Sequence, residues 1–205
     1  MTTSVNTAVP DYIVNGTLTD KEAWVAIQTS IIGSGGTASI TWTSTTGAND
    51  WSQYMDLMIV AHMHTGNSGT STVIAEANAV TYTGSSYTAE YWGSRFDASG
   101  VGSINGSTWA GYPILIMEAP GTSATSGVFA SATMLFNDIN SGKFKGTWSQ
   151  AAMDTGAAGG YMGMAGSTAQ RQTPITSIKC RTSSGANISE YSRFDLFGCL
   201  PRMVS

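Results

Sequence analysis

The period of this chain constrains it most. From Lys21 to Phe197, apolar residues recur at every second position in short runs, each closed by a cluster of Gly, Ser, Thr or Asn. Period two is the signature of a strand, whose side chains alternate between faces. No segment carries the 3.6-residue period with caps that marks a helix. About ten short strands and no helix predict an all-β fold, a sandwich or barrel.

Individual runs sharpen this. Asp11–Val14 reads as a first strand. Lys21–Ile32 is partly apolar on both faces, as for a strand packed on two sides. Ala38–Thr43 places Ile40 and Trp42 together. Tyr54–His64 is the longest apolar run, with Leu57, Ile59, Ala61 and Met63 opposite Met58, Val60, His62 and His64, and predicts a central strand. Ser71–Tyr82, Pro113–Glu118, Gly127–Phe136, Lys143–Gln150, Ile175–Arg181 and Arg193–Phe197 continue the series. Two stretches alternate poorly. Gly93–Gly111 reads as a long Gly/Ser-rich loop, and residues 151–172, rich in Gly, Ala and Met, as a flexible loop or arm. Residues 1–10 read as an N-terminal arm. No repeat or linker divides the chain, so residues 1–205 are expected to form one β-sandwich domain.

Composition limits the function. Charged residues are 11% of the chain, against about 25% in ordinary domains. With 41% hydrophobic residues and six Trp, the chain is expected to fold. A surface so poor in charge is a solubility risk for a free monomer and points to coverage by partner subunits. The net charge is −4 and the nine basic residues are scattered, which argues against a nucleic-acid partner. No run of 18 apolar residues predicts a membrane span. The N-terminus carries no signal-peptide pattern, so synthesis in a cytoplasm is expected, with Cys180 and Cys199 as free thiols.

A search for chemistry returns little. His62 and His64 share one side of their strand at a zinc-ligand spacing, but a site needs a third ligand that the neighbouring sequence does not supply. No G-x-S-x-G elbow occurs. Glu76, Glu90, Asp97 and Glu118 show no spacing that selects a catalytic pair. The expectation is no catalytic residue, no metal, no cofactor and no enzymatic activity. Trp51, Tyr87, Tyr91, Trp92 and Trp109 fall in or near predicted loops. Aromatic residues there suit subunit interfaces, with stacking on sugar rings as the alternative.

The closing segment ITSIKCRTSSGANISEYSRFDLFG, Ile175 to Gly198, resembles the final hairpin of a broad group of tailed-bacteriophage virion proteins. Ile175, Ser177 and Ile178, then Ser184, Gly185 and Asn187, then Ser192, Phe194, Leu196, Phe197 and Gly198 carry the likeness. The block Ala38–Thr65, in which Tyr54 precedes the longest strand, is similar to an earlier part of the same group. The chain departs from the pattern at Tyr191, where Gly is usual, and at Phe197, where Tyr is usual. The resemblance implies a jelly-roll-like antiparallel β-sandwich with long loops that forms homo-oligomers, with trimers favoured. It implies a structural role in the virion, first as a capsid decoration (cement) protein contacting the major capsid protein or other virion proteins. The alternative is a tail-fibre or receptor-binding module that recognises cell-surface carbohydrate.

Overall fold

The computed structural model describes residues 2–3, 13–14, 17–18, 24–78, 87–97, 100–104, 109–110, 114–155, 159–169 and 172–200. Along the chain the strands are β1 (Thr2–Thr3), β2 (Ile13–Val14), β3 (Thr17–Leu18), β4 (Trp24–Ile31), β5 (Ser39–Thr43), β6 (Asp56–Met63) and β7 (Ser71–Ala77). Then come β8 (Tyr87–Asp97), β9 (Gly100–Ile104), β10 (Trp109–Ala110), β11 (Ile114–Ala119) and β12 (Ala130–Phe136). The last four are β13 (Lys145–Asp154), β14 (Gly159–Ala169), β15 (Ser177–Thr182) and β16 (Arg193–Cys199).

These strands build an antiparallel sandwich. One sheet has the order β1-β4-β16-β6-β12-β13-β14-β8-β10, with β9 also on β8, and the facing one has the order β11-β7-β15-β5, while β2 and β3 pair separately as a two-stranded sheet. Within them, β4-β16-β6-β12 facing β5-β15-β7-β11 is the eight-strand jelly-roll arrangement. The insertions β8–β10 and β13–β14 both widen the first sheet.

The core lies between the sheets. Leu57, Ile59, Ala61 and Met63 of β6 are all buried, as are Ile40 and Trp42 of β5 and Ala130, Ala132, Met134 and Phe136 of β12. The period-two reading of β5 and β6 is therefore correct in phase, and β6 sits between β16 and β12, inside the large sheet.

Three expectations need correction. The first is β4, which does not bury two faces. Leu196 pairs with Gln28 while Phe197 pairs with Ala26, so Ile27 is an extra residue, a β-bulge. Buried positions run Val25, Ile27, then Ser30, Ile32. The bulge switches the phase of a strand with one inner face. Ser30 is satisfied by the Trp42 indole, which donates to its Oγ at 3.0 Å.

The second correction concerns Gly93–Gly111, which contains the end of β8 and all of β9 and β10 rather than one long loop. The third concerns residues 151–172. Most of them form the end of β13 and all of β14, paired from Lys145↔Ala169 to Asp154↔Gly160. Within residues 1–10, Thr2 and Thr3 pair with Ser30 and Thr29, and the rest of that segment lies outside the described residues.

The two blocks that carry the phage-protein likeness meet in space. Met55 N donates to Cys199 O at 2.8 Å, and Gly198 pairs with Leu57. The Tyr54 ring lies directly over Gly198, where a Cβ would fall inside its ring carbons. The Tyr54 hydroxyl donates to Ala48 O at 2.9 Å, which fixes the ring. Glycine at 198 is thus required by close approach.

Candidate functional site

The solvent face of the large sheet is the most distinctive surface. Residues of β6, β8, β12, β13, β14 and β16 that point away from the core line up across the strands. One row reads Arg193, His62, Ser131, Ala152, Met162, Ser94. The next reads Asp195, Val60, Thr133, Gln150, Met164. Side-chain size dips in the middle of the first row. Ser131 and Ala152 form a low floor between a wall at His62 and Arg193 and a wall at Met162 and Met164. The result is an open cleft of about 680 Å³, a size typical of binding sites.

The cleft is mostly apolar. Val60, Met162 and Met164 are exposed, and so is Trp148 farther along the same face. Its charges are paired internally. Arg193 Nε donates to Asp195 Oδ2 at 2.8 Å, and Thr29 Oγ1 donates to Asp195 Oδ1 at 2.6 Å. Asp195 holds the Arg193 guanidinium pKa above its ordinary value, through the hydrogen bond first and its charge second.

Sequence reasoning gave the aromatic face of Lys143–Gln150 no direction, and the structure turns it outward. Phe144 and Trp148 are exposed, whereas Lys145, Thr147 and Ser149 are buried. Buried Lys145 is satisfied by backbone carbonyls. Its Nζ donates to Ser141 O, to Lys143 O at 2.6 Å and to Gln172 O at 3.4 Å. Burial lowers its pKa, and the charge of Asp138 opposes that shift.

The histidines do share one side of their strand. The His62 ring stacks on Phe129 with centroids 4.7 Å apart, and His64 meets the same ring tilted at 5.6 Å. His64 Nδ1 lies 2.9 Å from Ser189 Oγ, a partner that sequence reasoning missed because it is 125 residues away. The pair has two parts of a nucleophile–base arrangement. Its third contact, however, is the Gly121 backbone, and burial lowers the His64 pKa more than that hydrogen bond raises it. Ser189 N and Ser192 Oγ both donate to His64 O, so the cluster ties the end of β6 to the turn before β16. Among the described residues no three His, Cys, Asp or Glu side chains are placed to hold a metal ion.

Of the aromatic candidates, Trp51 is corrected outright. It is 1% exposed and belongs to the core, because the 3₁₀ turn Trp51–Gln53 points it inward. Tyr87, Tyr91 and Trp92 lie in β8, and Trp109 begins β10, so all four are strand positions and not loop positions. The contact role of their side chains lies outside the described residues. The cleft residues Met162 and Met164 fall in the stretch whose sequence reads as a flexible loop or arm, and only the pairing of β14 reveals them as a wall. No helix among the described residues is long and apolar enough to cross a membrane. No protein family, curated protein sequence or solved structure matches this chain.

Proposed function

We propose that this protein is a structural subunit of a tailed-bacteriophage particle, made in the bacterial cytoplasm and incorporated into the virion as a capsid decoration protein. The observation that carries the reading is the exposed apolar cleft and stripe on the large sheet, Val60, Trp148, Met162 and Met164. Contiguous apolar surface of this kind marks a contact surface. A jelly roll by itself fixes no role, since one fold hosts many functions. The contact between Tyr54 and Gly198 adds support, because it joins the two sequence blocks that resemble virion proteins. Cleft and stripe then seal against other virion subunits, and catalysis plays no part.

Quantitative mass spectrometry of particles of the phage encoding the chain tests this. Hundreds of copies per particle fit a head protein, a few dozen or fewer move it to the tail, and absence from purified particles overturns the proposal. A second reading, recognition of cell-surface carbohydrate, is favoured by one feature. Trp148 is 43% exposed and pairs with bare Gly166, leaving a ring face open to stack on a sugar. Glycan-array binding that disappears in Trp148→Ala would favour that reading.

A further inference from the structure

The chain carries a knob whose chemistry matches its own cleft. The knob is the turn before β16. Its Tyr191 is 72% exposed, the most exposed large hydrophobic among the described residues. The backbone there has φ of 65°, a left-handed conformation that strains a bulky residue and that Gly adopts freely. Two hydrogen bonds fix it, from Tyr191 N to Ile32 O at 2.9 Å and from Ser192 N to Ser189 O at 3.3 Å. A large ring is thus held out into solvent against the local backbone preference, a form of strain that accompanies functional contacts. The adjacent Glu190 makes no ion pair among the described residues.

The cleft offers the complement. Met162 and Met164 form an adaptable apolar wall, and thioethers pack well against aromatic rings. At the opposite wall, the Arg193 bond to Asp195 uses Nε and leaves the two terminal guanidinium nitrogens without a partner among the described residues. The exposed His62 is beside it. An acidic residue next to an aromatic ring therefore matches a wall whose ion-paired Arg193 keeps its terminal guanidinium donors, across from an apolar wall. We propose that the cleft receives the Glu190–Tyr191 turn of a second copy of this chain, with the ring against Met162 and Met164 and the carboxylate towards Arg193 and His62.

The knob lies two residues before Arg193, so knob and cleft share a rim. A reciprocal two-fold pair and a closed ring both satisfy the contact. The inference deepens the assembly reading by naming a surface. It is tested on the isolated protein, whereas the assembly reading is tested on the particle, so the two fail separately.

The experiment is sedimentation equilibrium of the full chain, with far-UV circular dichroism to verify folding. Wild type is expected to sediment as a defined multiple of 21.4 kDa. Tyr191→Gly suits the left-handed backbone, and Ala152→Trp fills the floor from an exposed position, so both variants are expected to fold. Each should weaken association about thirtyfold or more, as for loss of a central aromatic anchor. A wild type that stays monomeric at every concentration overturns the proposal. So does wild-type association in either folded variant.

Discussion

At the scale of single residues, His64 shows how a side chain acquires a role from distant chain. Its ring meets Ser189, Phe129 and the Gly121 backbone, all far from it in sequence. Burial, the larger cause, depresses its pKa below the ordinary 6.5. The folded protein therefore resists the proton that the unfolded chain accepts. Stability is fully present above the unfolded value and falls as pH drops below it and through the lower folded value. Urea unfolding at about pH 7 and about pH 5 should show this acid-side loss, and His64→Gln should flatten it. An unchanged slope in the variant would remove His64 as its source. The residue pair at 62 and 64 was legible as two histidines on one side. Their partners were not, because Phe129, Gly121 and Ser189 come from distant parts of the chain and leave no trace in local spacing.

Among the elements, β13 and β14 are the most instructive. Larger apolar side chains, Met162 and Met164, face solvent, while Tyr161, Gly163, Ala165, Ser167 and Ala169 face inward. β11 packs against β13 and β14 from within, which leaves room mainly for small groups. Hydrophobicity is therefore a poor guide to direction here, and this is why the stretch looked structureless. In denaturant titrations Ala165→Leu should cost about 1–3 kcal/mol by overpacking. Met162→Lys should stay within about 0.5 kcal/mol. The reverse ranking would mean that β14 is turned the other way. In β4 the same lesson has a different cause. A single bulged residue, Ile27, switches the inner face from odd to even positions, and alternation read straight through it gives two half-apolar faces.

For the whole molecule, the jelly roll binds the ends of the chain into one core. β16 lies between β4 and β6, so the last described strand completes a sheet begun more than a hundred residues earlier. Opening the sandwich should therefore be cooperative. The cysteines, neither in a disulfide, report on it. Cys180 is fully buried, and burial, with a smaller contribution from the Glu76 charge, pushes its thiol pKa up. A thiol reagent should label only Cys199 in the native state, and Cys180 only as the protein unfolds, because the thiolate is the reactive form. Labelling of both thiols at native rates would show that the core opens locally.

The sequence alone determined the all-β class, the inner faces of β5 and β6, and the central place of β6. Those features follow from period-two alternation, which is contained within each strand and decided by burial of one face. Tertiary structure decided what alternation cannot encode. It set the bulge that turns β4, the outward methionines of β14, the core position of Trp51, and the cleft formed by six strands together. Each depends on what packs on the far side of the sheet, and that neighbour comes from elsewhere in the chain.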